Sequence, residues 1–249
     1  MSAPRRLAAV LLAGVALLPA ATQAAGAGLG AELDWTSNYL WRGISLSRHE
    51  PALQGGATVS SRNGYGIGAW MSTVEFRTPP GGPDAPELQQ VFQAWARRPL
   101  PGQWSTAARL SWVAFPGAEA PGTSGFPELE LALDWAGRLV LSGFVADGTY
   151  GYLSGSPVRR GRVVGASLAG VLPLPARFGL TWDAGWVDAD AAADVAWGHW
   201  SVGIARRFGP LEIHVGRAST WHRPFAAFGS AVARSETAVT VRLGFATAD

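Results

Sequence analysis

Residues 177–188 read RFGLTWDAGWVD, and they alternate large apolar side chains with small or polar ones. A period of two is the pattern of a β-strand with one apolar and one polar face. The apolar face carries Phe178, Leu180, Trp182, Ala184 and Trp186, and the other face carries Gly179, Thr181, Asp183 and Gly185. The segment from Phe178 to Trp186 spans about 26 Å along a strand, which at a tilt of about 45° matches the apolar band of a membrane-spanning β-strand.

The same alternation recurs along the chain and predicts twelve strands. Their ranges are 31–42, 51–61, 64–76, 86–97, 103–114, 127–136, 138–147, 160–172, 177–187, 195–208, 210–220 and 236–246. The connections alternate between short and long, and short turns with long loops are typical of transmembrane barrels. The sequence therefore predicts an all-β, antiparallel, up-and-down transmembrane β-barrel of about twelve strands. A soluble sandwich with a tryptophan-rich core is the alternative.

The N-terminus has the features of a secretory signal peptide. Arg5 and Arg6 form a positive region, residues 7–18 are apolar, and small residues follow. Such a segment is removed from the mature protein and is too short to serve as a membrane anchor. We therefore expect a signal peptide over residues 1–26, cleaved within 24–27, and a barrel over residues 27–249.

The composition narrows the class of protein further. A mean hydropathy of +0.12 with 15% charged residues is apolar for an exported soluble protein. The mature chain nevertheless has no run of 18 apolar residues, which a transmembrane helix requires. There is no cysteine, so no disulfide can stabilise the fold. Without Arg5 and Arg6 the formal net charge of +2 falls to about zero, and nucleic acid is not expected as a partner.

The best-marked motif is WTSNYLWRGIS at residues 35–45, followed by PALQGG at 51–56. Together with GAWMSTVEF at 68–76 and FPG at 115–117, it resembles the opening of the TorF-like porins, a family of proteobacterial outer-membrane proteins. The specific likeness covers about residues 33–76. It implies a β-barrel of the Gram-negative outer membrane that acts as a porin.

Arg42 is the most distinctive charged residue of this motif. The alternation places it on the polar face of the first strand near the outer rim, and Gly43 then lets the chain turn into the first loop. Arg42 can brace the rim by pairing with a carboxylate on a neighbouring strand, or it can select ions, and the sequence leaves both roles open. Tyr39 and Trp41 are expected at the same high level as the upper aromatic girdle.

The polar parity of the strands predicts which residues line the lumen or its rim. They are Glu32, Asp34, Arg42, Arg109, Glu128, Glu130, Asp134, Asp183, His199, Arg207, Glu212, His214 and Arg242. Facing ladders of both charges can create a transverse field that passes small hydrated solutes. Alternatively, the same groups can close into salt bridges that fill the interior. Twelve strands lie between the filled barrels of eight and the open channels of sixteen or more, so the strand number does not decide.

Catalytic and metal sites are not predicted. His199 shares a strand face with Ser201, as His214 does with Glu212, but such neighbours are routine on a polar face and no G-x-S-x-G element is present. The acidic segment 188–194 lacks the glycine and the final glutamate of a calcium loop, and it is interpreted as a solvated outer loop. We therefore expect no enzyme activity, no cofactor and no metal ion.

These features together predict an outer-membrane porin that allows passive diffusion of small hydrophilic solutes or ions through a mixed-charge lumen. The alternative is a closed structural or adhesin-like barrel whose extracellular loops bind a partner. An outer-membrane enzyme is a third option, which truncation of Ser201 or His199 would test. The expected partners are outer-membrane lipids, lipopolysaccharide and the barrel assembly machinery, and the oligomeric state stays open.

Overall fold

The computed structural model describes residues 28–75, 87–117, 125–149, 160–193, 195–221 and 235–246. The predicted signal peptide and most of the predicted long loops lie outside these residues. The strands are β1 (Gly28–Thr36), β2 (Leu40–Trp41), β3 (Ile44–Ser45), β4 (Ala52–Ser60), β5 (Tyr65–Thr73), β6 (Leu88–Pro99), β7 (Trp104–Ala114), β8 (Gly125–Trp135), β9 (Leu139–Thr149), β10 (Arg160–Pro173), β11 (Phe178–Asp188), β12 (Ala196–Phe208), β13 (Leu211–Trp221) and β14 (Glu236–Ala246).

Twelve of these strands form a closed antiparallel barrel, which confirms the predicted fold class. Each strand pairs with its neighbours in sequence, and β1 pairs with β14 to close the ring. Short connections such as residues 61–64 and 209–210 lie at one end, which we call the turn end. The opposite end, where the longer connections leave the wall, is the loop end. β2 and β3 form a separate two-stranded sheet.

The outer surface of the barrel is apolar and the inner surface is polar. Outward residues such as Leu29, Ile67 and Leu131 are 60%, 61% and 58% exposed. Inward residues alternate with them and include buried Asp34 and Glu130. This arrangement is the inverse of a soluble protein, because apolar atoms cover the outside in a continuous band.

Aromatic side chains in the wall lie flat over glycines on the adjacent strand. Gly170 pairs with Trp182 and Gly198 with Trp221 on the outer face, and Gly66 pairs with Trp95 on the inner face. A Cβ added at any of these glycines would overlap the indole ring. A glycine under an aromatic ring therefore lets the ring lie along the wall instead of standing away from it.

The first predicted strand is wrong in its extent. β1 ends at Thr36 instead of residue 42, and residues 37–51 turn into the barrel before β4 begins. The alternation of residues 37–45 belongs to the small β2–β3 hairpin instead of the wall. Tyr39 and Trp41, which were expected in the upper aromatic girdle, are 4% and 6% exposed and lie inside.

The acidic segment differs in its backbone from the solvated loop that the sequence predicts. Asp190–Ala193 forms a short helix, α1, between buried Ala189 and the start of β12. Ala192 is 3% exposed, and the backbone at Ala191 packs closely against Gly161 of β10. Alanines at 189 and 192 therefore fold this connection inward. Within the described ranges, no helix has the length and apolar character needed to cross a bilayer.

Candidate functional site: the lumen and its inserted hairpin

Residues 37–51, which we call the inserted hairpin, fold into the loop end of the lumen. Leu40 pairs with Ser45 and Trp41 with Ile44, so the turn consists of Arg42 and Gly43 alone. Both turn residues have positive φ, 51° and 79°, which is the signature of a type I′ hairpin turn. Gly43 is therefore the hairpin tip and not an exit into an outer loop.

Arg42 at the tip reaches the far wall of the barrel. Its Nη2 donates to Glu128 Oε2 on β8 at 2.7 Å, and its guanidinium lies 3.4 Å from the ring centroid of Phe144 on β9. In the ring of twelve strands β9 is six places from β1, which is diametrically opposite. The predicted position of Arg42 on the first strand near the rim is therefore wrong, and its carboxylate partner lies across the lumen.

A second contact holds the tip from the side. The indole Nε1 of Trp197 on β12 donates to the Arg42 carbonyl oxygen at 2.9 Å. A Cβ on Gly43 would lie 2.6 Å from His199 Cβ and 2.9 Å from Thr220 Cγ2. The tip is thus enclosed by β8, β9, β12 and β13, and only glycine fits at residue 43.

The hairpin carries an apolar core into the loop end. Tyr39, Trp41, Ile44 and Leu46 are between 0% and 6% exposed. They join inward side chains of the wall, which are Trp70, Val91, Val113, Phe126, Ala146, Val163, Val187 and Trp197. Burial of each large apolar side chain contributes about 2 kcal/mol. The loop end of the lumen is therefore packed as a hydrophobic core and is not open water.

Several polar groups at the hairpin base form hydrogen bonds, although the buried Nε2 of His49 has no partner among the described residues. Ser45 Oγ donates to Asn38 Oδ1 at 2.6 Å, and the Tyr39 amide donates to Ser47 Oγ at 2.9 Å. The Tyr39 hydroxyl donates to Gln89 Oε1 at 2.8 Å, and burial raises the pKa of this phenol above its ordinary value. These bonds fix the hairpin in one conformation, because leaving any of them unmade inside the barrel costs free energy.

The turn half of the lumen has a different lining, made of arginine–carboxylate pairs between nearby strands. On one side, Arg97 binds Asp134 at 2.8 Å and Arg109 binds Glu130. On the other side, Arg242 binds Asp34 at 2.7 Å and Arg207 binds Glu212 at 3.1 Å. Glu32 lies 3.9 Å from Arg242 in the same group.

These pairs run along the wall instead of across the lumen. Arg109, Arg207 and Arg242 each bind a carboxylate on a neighbouring strand. Arg97 on β6 reaches past β7 to Asp134 on β8. Arg97, Arg109, Arg207 and Arg242 all keep part of their surface exposed. The turn half is therefore a polar vestibule, which we define by the inward residues below the hairpin. This pairing does not place positive charges on one wall opposite negative charges on the other, so it does not produce the transverse field considered above.

All thirteen residues that the sequence predicts for the lumen or its rim lie inside the barrel. Twelve point inward from the wall strands, and Arg42 alone comes from the inserted hairpin. Their function as a pore lining stays a prediction. His214 Nε2 lies 3.0 Å from Thr181 Oγ1, on the inner face between β11 and β13.

Asp183, His199 and Ser201 come together on β11 and β12. Ser201 Oγ donates to Asp183 Oδ1, while His199 Nε2 lies 3.4 Å from Asp183 Oδ2. In a Ser–His–Asp relay the imidazole accepts the serine proton. Here the serine hydroxyl donates its hydrogen bond to the carboxylate instead of the imidazole, so this arrangement differs from that of a hydrolase. Among the described residues there is no group of three or more His, Asp or Glu side chains placed to hold a metal ion.

Several inward polar residues were missed in the sequence. Gln89, Gln93, Trp95 and Arg97 share one face of β6, and Gln54 lies on the inner face of β4. Parity was the available signal, because residues 89, 91, 93, 95 and 97 alternate with Phe92 and the alanines. The glutamines carry no charge that would mark them as part of a charged ladder, whereas Arg97 carried that signal as well.

Comparisons with known proteins agree with this architecture. Residues 20–220 match the model of a family described as a bacterial protein of unknown function, Gcw_chp. The KdgM porin is 7% identical with a TM-score of 0.50, over 88% of this chain and 99% of that chain. The NanC porin is 9% identical with a TM-score of 0.53, over 89% and 99%. At such identities the likeness shows the fold alone. No curated protein matches the sequence.

Proposed function

This chain belongs to the Gcw_chp family of bacterial proteins, whose function is unknown, and we propose that it is a porin-type channel of the Gram-negative outer membrane. It passes small hydrophilic solutes or ions, and the inserted hairpin closes the pathway in the state described above. The observation that carries the proposal is a polar vestibule inside an apolar barrel, ending at a separate segment of chain. Kinship with the TorF-like porins is part of this proposal.

The outer surface supports the location in a membrane. Exposed apolar side chains cover every strand of the barrel, and exposed aromatic residues lie near both ends, such as Trp104 and Trp135 at the turn end and Trp35 and Trp112 at the loop end. An apolar band between two aromatic levels is typical of outer-membrane barrels. The short-turn end then faces the periplasm, which is where both chain ends of an even-stranded barrel lie.

The connection between β1 and β4 supports the assignment of the hairpin as the closing element. Thr36 and Ala52 face each other as paired residues of adjacent strands. A two-residue turn would therefore connect β1 to β4 without disturbing the wall. The fifteen residues that actually connect them are not needed for closure of the barrel, and they occupy the lumen instead.

The test is a comparison of two refolded proteins in planar lipid bilayers. One is the mature chain, and the other has residues 37–51 replaced by Asn-Gly, a pair that favours the type I′ turn. We expect rare or small current steps from the mature chain and frequent, larger steps from the hairpin-replaced variant. Heat-modifiable gel mobility serves as the control that both barrels are folded.

One result would remove the channel proposal, and another would remove only its closure by the hairpin. If the hairpin-replaced variant is folded and inserted but never conducts, the vestibule does not connect the two sides of the membrane. Equal, sustained conductance of the two proteins would show that the hairpin does not close the lumen.

A closed barrel whose outer loops bind a partner is the second candidate. The packed loop-end core and the buried Arg42–Glu128 pair favour it, because both stabilise the occupied lumen. It predicts no current steps from the mature chain, whatever the hairpin-replaced variant does. Lipopolysaccharide and the barrel assembly machinery remain predicted partners under both functions.

A further inference from the structure

The outer rim of the turn end carries an arginine from five places around the ring. Arg62, Arg98, Arg138, Arg177 and Arg206 are all exposed there. They come from the β4–β5 turn, β6, the β8–β9 turn, the β10–β11 turn and β12. We call these five residues the arginine rim. They spread around more than half of the barrel and do not form a single patch.

No carboxylate accompanies them on the outer side of this end, as far as the described residues show. The acidic residues near the turn end are Glu32, Asp134 and Glu212, and all three point into the lumen. The exposed loop-end surface differs, because Glu50, Glu87 and Asp147 are mixed there with Arg162 and Arg217. The turn end is thus the basic end of the outer surface.

Two rim arginines are held against the edge of the apolar band. The guanidinium of Arg206 lies 4.7 Å from the ring centroid of Phe178 and 4.6 Å from that of Phe208. The guanidinium of Arg98 lies 4.4 Å from the ring centroid of Tyr65. An arginine stacked on interfacial aromatic rings keeps its stem in the apolar layer and presents its charge at headgroup depth.

We propose that the arginine rim binds the phosphate groups of anionic phospholipids at the turn-end membrane surface. A basic residue near an anionic bilayer surface adds about a fivefold preference for that surface. A continuous lipid layer fits charges spread around the circumference, whereas a protein partner would need them gathered on one side. Guanidinium groups also suit phosphate, because they donate two parallel hydrogen bonds.

The test uses the refolded mature chain in mixed phosphatidylcholine and phosphatidylglycerol vesicles, with bromine on the acyl chains of one lipid at a time. Bromine quenches tryptophan, and Trp104 and Trp135 lie exposed at the turn end. We expect brominated phosphatidylglycerol to quench more strongly, with a relative binding constant near fivefold that falls as salt is raised. Replacement of chloride by inorganic phosphate at constant ionic strength should leave this preference unchanged.

Variants assign the effect to the rim. Replacement of all five arginines by glutamine should bring the relative binding constant to about one, and R98Q with R206Q alone should lower it in part. R162Q with R217Q, at the loop end, is the matched control and should keep the preference. Equal quenching by both lipids would overturn the proposal. A preference that remains after all five arginines are replaced would overturn it as well. Binding of the rim to polyglutamate in place of lipid would also overturn it and assign an acidic protein.

This inference rests on the membrane location in the proposed function but not on conduction. A protein that no brominated lipid quenches is not inserted, and the proposed function then fails. A protein that both lipids quench equally is inserted, and only the lipid preference fails.

Discussion

The two halves of the lumen are lined in opposite ways although the same strands build both. At the loop end the inward positions of the wall and the inserted hairpin form an apolar core with one enclosed ion pair, Arg42–Glu128. At the turn end the inward positions carry four pairs whose arginine side chains are 15–42% exposed, against 4% for Arg42. The difference teaches that an inward-facing residue in a barrel is defined by what fills the lumen beside it. The alternation of residues along a strand predicts which side chains face the lumen, but it does not predict whether they contact water there.

The sharpest contrast should appear in chemical labelling, since the chain has no cysteine of its own. Ser105 on β7 is partly exposed at the turn end, whereas Ser72 on β5 is 0% exposed at the loop end. S105C should react quickly with a charged thiol reagent, and S72C should react orders of magnitude more slowly because it needs local opening. Replacement of residues 37–51 by Asn-Gly should remove most of this difference. Similar rates in the intact protein would end the distinction between core and vestibule.

The next largest effect concerns the enclosed ion pair. E128A removes the carboxylate that binds the Arg42 guanidinium inside the barrel, where this guanidinium is 4% exposed. We expect a loss of about 3–5 kcal/mol in the free energy of unfolding, measured by urea titration of tryptophan fluorescence in micelles. The double variant R42M/E128M should recover much of that loss, because no charge is then buried. A loss below about 1 kcal/mol for E128A would show that the Arg42–Glu128 pair is solvated and not enclosed.

Two glycines with the same backbone conformation provide a matched comparison. Gly43 has φ 79° and its added Cβ would meet His199 and Thr220, whereas Gly209 has φ 63° with nothing within 4 Å. Each alanine substitution costs about 1 kcal/mol for the left-handed conformation. G43A should cost at least a further 1–3 kcal/mol, roughly the cost of overpacking a core. Equal losses of unfolding free energy would show that the hairpin tip is loosely seated.

The smallest effect belongs to the vestibule. Arg97 is 35% exposed and its partner Asp134 also accepts a hydrogen bond from the Gly137 amide. R97A should therefore lower the free energy of unfolding by no more than about 1 kcal/mol, as for other hydrated ion pairs. The same urea titration measures it. A loss as large as that of E128A would erase the comparison between the two halves.

Most of the barrel wall could be predicted from the sequence, because membrane on one side and a polar lumen on the other impose period-two alternation. The inserted hairpin could not, since residues 37–45 alternate in the same way whether they extend β1 or form β2 and β3. Arg42 and Gly43 as a two-residue turn carry no strong sequence signal, because Asn or Asp before glycine is the usual one. The charged lumen residues of the wall strands, apart from Arg97, could be predicted from the alternation, but their partners depend on strand register, which the sequence does not state.

The glycines that lie under aromatic rings have a consequence for the bore of the vestibule. Trp95 points inward yet rests against the wall because Gly66 on the adjacent strand has no side chain. Any larger residue at position 66 would tip the indole toward the barrel axis. The clear width beside Trp95 is therefore set by a different residue on a different strand, and a single methyl group at Gly66 would narrow it while leaving the circumference of the barrel unchanged.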